Sequence, residues 1–270
     1  MNIISAILQK KRDNSTCALI PFLTAGYPSL DLTVEALLVL NRRGADVIEL
    51  GIPYSDSLAD GPLIQNASKV ALKQGVYIDQ VLSILKTIQT KIDVPIVIFT
   101  YYNPILVRGL RRFIQEISNC GAKGLVIPDL PIEETDYISV LCKNYQLELI
   151  LFISPTSSVS RISHILSKAP GCVYLVSSTG VTGIRDSISY KISFISNYVS
   201  SNTDKNIMLG FGISSPSQVS NVLRSQFEVD GIVVGSAFTR LISQSCDSEY
   251  LNLGEDLGDF CEQMKQAMFK

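Results

Sequence analysis

The 270-residue sequence has no tryptophan and a single histidine, His164. A catalytic metal needs convergent His and carboxylate ligands, so there is little here from which to build such a site. His164 falls in a helical pattern, where a solvated surface position is expected. The six cysteines, Cys17, Cys120, Cys142, Cys172, Cys246 and Cys261, include no C-x-x-C pair and none beside a histidine. They read as small apolar core residues in a reducing compartment. Neither sign of charge dominates: 23 Lys and Arg stand against 25 Asp and Glu, for a net charge of -2. Without a basic stripe interleaved with aromatics, a nucleic-acid partner is excluded. No apolar run reaches the roughly 18 residues of a membrane span. The N-terminus, M-N-I-I-S-A-I-L-Q-K-K-R, carries its charges after the apolar run and shows no small-residue cleavage site, so an amphipathic helix is expected there and not a signal peptide.

What the chain does have is a repeat. Short runs rich in Ile, Val and Leu recur at 17–23, 46–50, 95–101, 124–128, 147–153, 172–177, 206–210 and 230–235. Helical patterns lie between them, among them 31–43, 110–120 and 133–145, and Gly121 is placed to stop the second of these. Strands apolar on both faces suit a parallel sheet covered by helices. Eight of them alternating with helices, with no Pro/Gly/Ser-rich linker, predict one (β/α)8 TIM barrel as a single domain over 1–270. An open doubly wound sheet is the competing architecture. Two helical patterns, 63–74 and 78–92, follow the second strand, which marks an extra helix there. Barrels of this kind place their chemistry at the C-terminal ends of strands.

Three glycine corners follow the last strands: Gly180-Val-Thr-Gly183, Gly210-Phe-Gly212, and Gly235-Ser236 at the start of a helix. Each could simply make a tight turn. Together they suit a phosphate held by backbone N–H groups and a helix N-terminus. Schiff-base chemistry needs a lysine inside the barrel, but Lys123 precedes the fourth strand and the other lysines fall in helical, loop or terminal segments. The strand ends offer instead Glu49, Asp60 in the adjoining loop, and Asp129 after the fourth strand. A glutamate inside a barrel should have a raised pKa, whereas Asp60, in a loop with more water or hydrogen-bond donors, should stay charged; such a pair suits general acid/base work. Other readings stay open for each residue. Glu49 could pair with an arginine, Asp60 could make a turn or cap a helix before Gly61-Pro62, and Asp129 could order its loop.

The motifs P-F-L-T-A-G-Y-P (21–28), E-L-G-I-P-Y-S-D-x-L-A-D-G-P-x-I-Q-N-A (49–67), Y-Y-N-P (101–104), S-x-T-G-V-T-G (177–183), G-F-G-I (210–213) and V-G-S-A (234–237) together resemble the tryptophan synthase alpha chain family. The resemblance runs in order across nearly the whole chain. It implies a cofactor-free lyase that splits indole-3-glycerol phosphate into indole and glyceraldehyde 3-phosphate. By motif, Glu49 and Asp60 match the catalytic pair. Phe22, Tyr101 and Tyr174 would surround the indole and glycerol portions. Gly183, Gly212, Gly235 and Ser236 would hold the phosphate, Phe211 would close that end, and Thr182 would reach Asp60 on loop closure. The resemblance also implies a partner beta chain that carries pyridoxal phosphate, an alpha2beta2 heterotetramer, and contacts through the insertion after the second strand and through Asn103-Pro104. The compartment implied is the cytoplasm, or the plastid stroma if the gene is organelle-encoded. Two positions depart from the pattern. Ser57 stands where proline is usual, leaving the Asp60 loop with one φ restraint fewer, and Ser178-Thr179 stands where some members carry arginine. The alternatives weighed against this reading are a non-catalytic subunit that only activates a beta chain and another sugar-phosphate barrel enzyme such as an epimerase.

Overall fold

The computed structural model describes residues 2–176, 190–210, 212–225, 228–245 and 252–269. Eight parallel strands close into a barrel in sequence order, β1 (Ala18–Thr24), β2 (Ile48–Gly51), β3 (Ile96–Phe99), β4 (Gly124–Val126), β5 (Glu148–Ile153), β6 (Val173–Val176), β7 (Ile207–Gly210) and β8 (Gly231–Val234). Closure is made by β1 against β8, with Ala18 level with Gly231 and Pro21 with Val234. The helices among the described residues are α1 (Ile3–Asp13), α2 (Leu30–Arg42), α3 (Pro62–Lys73), α4 (Ile78–Ile88), α5 (Tyr102–Arg108), α6 (Leu110–Asn119), α7 (Thr135–Asn144), α8 (Val159–Lys168), α9 (Tyr190–Asn202), α10 (Pro216–Arg224), α11 (Ser236–Gln244) and α12 (Leu253–Gln266). No helix among the described residues is long and apolar enough to cross a membrane.

The doubly apolar strands make two cores because successive side chains point to opposite faces. Outward residues such as Leu19, Leu23, Ile48, Leu50 and Ile98 pack under the helices. Inward residues such as Ile20, Phe22, Val97, Phe99 and Tyr174 fill the barrel. At the N-terminal mouth, Ile4 and Leu8 of α1 join the inner core and plug it. Each such buried side chain contributes about 1.5–3 kcal/mol.

Three elements differ from the sequence reading. The pattern at 78–92 is helical only to Ile88, because Val94 precedes Pro95 and is biased to extended backbone, and Asn41 Oδ1 accepts from the Asp93 and Val94 N–H groups at 3.1 and 3.2 Å. The helix expected from 133 begins as a 3₁₀ turn, Ile132–Glu134, ahead of α7. Helix α5 was not anticipated. Its signals are Pro104 in the first turn and Gly109, whose φ of 90° stops α5 and starts α6. Asp129 supplies what is missing at its start, accepting from Tyr102 N–H at 2.8 Å, so Asp129 orders a helix end.

Candidate active site

Strand β2 presents Glu49 to the barrel interior while Ile48 and Leu50 face the helices. Beside it, Gly51 leaves room for Phe22; a Cβ there would sit 2.6 Å from the ring. The chain then loops out and returns. Leu58 N–H donates to Asp56 O at 2.9 Å, Asp60 N–H to Ser57 O at 3.1 Å, and Gln65 Nε2 ties Ser57 O and Asp60 O at 3.2 and 3.0 Å. Tyr101, two residues past β3, accepts from Ala59 N–H at 3.0 Å, and the Tyr101 and Ser57 hydroxyls are near enough to the Asp60 carboxylate to lower its pKa. Asp60 is thereby turned inward and is only 4% exposed.

Glu49 is 1% exposed and, among the described residues, has no ion pair and no hydrogen-bond partner for its Oε1. Burial, reinforced by the negative charge of Asp60, pushes its carboxyl up to about 8. The arginine pairing considered for Glu49 is absent among the described residues. For Asp60 it is neighbouring hydroxyls and not water that favour the charged form, since its side chain is buried. Burial pushes it up to about 6, with Tyr101 and Ser57 holding it down against a larger rise. The two carboxyls therefore remain separated, with Asp60 the first to ionise. Tyr101 and Tyr174 are both held protonated, first by burial and then by neighbouring carboxylates.

Phe22, Glu49, Asp60, Tyr174, Gly212, Gly235 and Ser236 line one cleft that opens to solvent, together with Ile64, Phe99, Ile213 and Val233. Gly235 precedes the first turn of α11, and Ser236 opens that helix. Gly212 takes a φ of 86°. Tyr101 reaches the site through Asp60. Thr182, Gly183 and Phe211, like Ser178-Thr179 and Cys246, lie outside the described residues.

Sequence reasoning missed part of the aromatic wall. Phe99 packs edge-on to Phe22, Tyr101 and Phe152 with centroids 5.6, 6.1 and 6.5 Å apart, and Phe152 tilts against Tyr174 at 4.6 Å. Period-two alternation could have found both, since Phe99 precedes Tyr101 by two and Phe152 shares the inward face of Ile150. Gly210 makes the room, because a Cβ there would lie 2.1 Å from the Tyr174 hydroxyl. His164 is exposed, and the described cysteines are buried and form no disulfide with one another. Among the described residues, no group of three or more His, Cys, Asp or Glu side chains could hold a metal ion.

The sequence model of the tryptophan synthase alpha chain family matches residues 8–269. The chain belongs to the tryptophan synthase alpha chain family. It carries out the alpha reaction of tryptophan synthase, the lyase step that cleaves indole-3-glycerol phosphate in L-tryptophan biosynthesis. A tryptophan synthase alpha chain from Gracilaria tenuistipitata var. liui is 58% identical over 268 residues, covering 99% of this chain and 97% of its own. One from Synechocystis sp. is 46% identical, covering 99% and 100%. Among solved structures, the tryptophan synthase subunit alpha of Legionella pneumophila superposes with a TM-score of 0.87 at 31% identity, covering 99% of this chain and 98% of that one. A Mycobacterium tuberculosis tryptophan synthase structure gives 0.89 at 28%, covering 100% and 99%.

Proposed function

We propose that the alpha reaction runs here by general acid/base catalysis between Glu49 and Asp60, with residues 1–270 acting as one barrel domain. The observation that carries this is the free, buried Oε1 of Glu49 beside a carboxylate that titrates lower. Near pH 7 Glu49 holds a proton and Asp60 does not. Glu49 passes its proton to the indole ring carbon that bears the glycerol chain, and the ring nitrogen becomes positive. Asp60 accepts a hydrogen bond from that N–H, an interaction strongest in the transition state. The carbon–carbon bond then breaks, its electrons return to the ring, and the neighbouring hydroxyl loses its proton to the Glu49 carboxylate as the aldehyde forms. Indole and glyceraldehyde 3-phosphate leave, and Glu49 is protonated again.

The aromatic wall of Phe22, Tyr101 and Tyr174 flanks the ring and glycerol. The phosphate lies against Gly212, Gly235 and Ser236 at the start of α11, joined by Gly183 and Phe211, while Thr182 meets Asp60 on closure. The loop after β2 and helix α5 form the contact with a beta chain in an alpha2beta2 heterotetramer, the pyridoxal phosphate being the partner's. Leu58 at 85% exposure and Val107 at 82% support that face. Similarity to red algal and cyanobacterial chains supports the plastid stroma or cytoplasm.

The test is indole release from indole-3-glycerol phosphate, with and without a tryptophan synthase beta chain, for wild type and Glu49→Gln. Release that the beta chain raises and the variant abolishes supports the assignment. A Glu49→Gln variant that still stimulates the beta chain and still releases indole would show that cleavage does not depend on Glu49.

A further inference from the structure

We propose that Gln65 is a positioning residue for the alpha reaction: from the start of α3 its side-chain amide clasps the backbone of the loop after β2 and fixes where that loop presents the Asp60 carboxylate. The inference rests on the role given to Asp60 above. Gln65 is the fourth residue of α3, which begins at Pro62. Its amide nitrogen carries two N–H donors, and both are used on this loop, towards Ser57 O at 3.2 Å and Asp60 O at 3.0 Å. Ser57 O also accepts from Asp60 N–H at 3.1 Å, so the amide closes a ring over the turn and both backbone polar groups of Asp60 are engaged. Only its side-chain torsions are left to aim the carboxylate. Between the two clasped carbonyls, Ala59 N–H donates to the Tyr101 hydroxyl at 3.0 Å.

The loop needs such support. Leu58 is 85% exposed, the Ser55 hydroxyl and Leu58 N–H bond to Asp56 within the loop itself, and Asp60 makes no salt bridge among the described residues. Gly61, which precedes α3, has no side chain with which to cap it. Loop side chains commonly cap helices, but here a helix side chain caps the loop. Its base is firm, because Ile64, Ala67, Ser68 and Ala71 bury the inner face of α3. The clasp takes hold of carbonyls, so it works whether position 57 is proline or serine, and it restrains from outside a residue whose own φ is free. Displacing a catalytic group by about 1 Å can cost about 10²-fold in rate, which makes a fixed Asp60 backbone matter to turnover.

The experiment measures kcat and KM for indole release, in complex with a tryptophan synthase beta chain, for wild type, Gln65→Met and Gln65→Glu, each alone and combined with Asp60→Ala. Met keeps the length without the donors, and Glu keeps the shape while setting an acceptor against two carbonyls. Losing both hydrogen bonds should lower kcat about tenfold in either variant and leave KM within about twofold. Combined with Asp60→Ala, the same changes should cost less than about twofold, because no carboxylate remains to be aimed. A residue that only supports the fold would cost as much in both backgrounds, or its variants would not fold, and either result overturns the proposal. So does a folded Gln65→Met with native kcat; the role of Asp60 then stands as long as Asp60→Ala is crippled. If Asp60→Ala retains near-native turnover, the role of Asp60 falls, and that of Gln65 with it.

Discussion

At the N-terminal end of the barrel Glu148 is fully buried and accepts from Ser5 N–H at 3.1 Å, Cys172 N–H at 2.9 Å and the Ser5 hydroxyl. At the C-terminal end Glu49 is as deeply buried, yet one of its oxygens has no partner among the described residues. The same contrast extends outward. Below, Asp230 takes Ile207 N–H at 2.8 Å and the Arg12 guanidinium at 2.6 Å, while Asp46 takes Leu19 N–H at 2.9 Å, Lys11 at 2.7 Å and Lys265. Above, the buried side-chain polar atoms without a partner among the described residues are Thr24 Oγ1, Glu49 Oε1 and Thr100 Oγ1, all at the exits of β1 to β3. One end uses its lone pairs to hold the chain together; the other leaves some of them without a partner among the described residues. A buried carboxylate whose hydrogen bonds are incomplete is a candidate for chemistry.

The largest effect expected from breaking this contrast is at Glu49. Glu49→Gln should lower kcat/KM by at least about 10³-fold, as expected for loss of an acid/base group with no substitute, read by indole release. The same change should raise the melting temperature at pH 8.5. The folded carboxyl titrates near 8, above its unfolded value, so its contribution favours folding below pH 4.5 and is lost as the pH rises through 8. A variant as labile as wild type at pH 8.5 would contradict the burial penalty.

Glu148→Ala should do the reverse, costing about 3–5 kcal/mol by leaving three buried donors unpaired, measured by denaturant unfolding. The turnover of its folded fraction should be unchanged; a selective loss of kcat would erase the division between the ends. Asp60→Asn should cost about 10²-fold in kcat/KM, the worth of a charge-stabilising contact. Because the Asp60 charge helps raise Glu49, that variant's alkaline limb should move down from about pH 8, and an unmoved limb would deny the coupling. The smallest effect is Arg12→Ala, which should cost about 1–3 kcal/mol of stability through Asp230 and leave the pH profile of cleavage untouched.

Much of the C-terminal end was legible beforehand. Glu49 stood out because an apolar strand rarely carries a carboxylate, and the glycine corners after the last strands drew attention to Gly212, Gly235 and Ser236, which line the same cleft. Phe99 and Phe152 were overlooked because an aromatic in an apolar strand looks like ordinary core until its face is known.

The sequence by itself determined the order of strands and helices, the barrel they close, and the residues brought to its rim. Those follow from local periodicity and from glycine, proline and charge at fixed spacings. Tertiary structure alone decided which carboxylates are satisfied and which are free, that Asp60 is buried with Ser57 and Tyr101, and that Asp129 caps a helix it does not adjoin. A hydrogen bond, a desolvation cost and a pKa depend on atoms from distant strands, and only closing the barrel puts those atoms within reach.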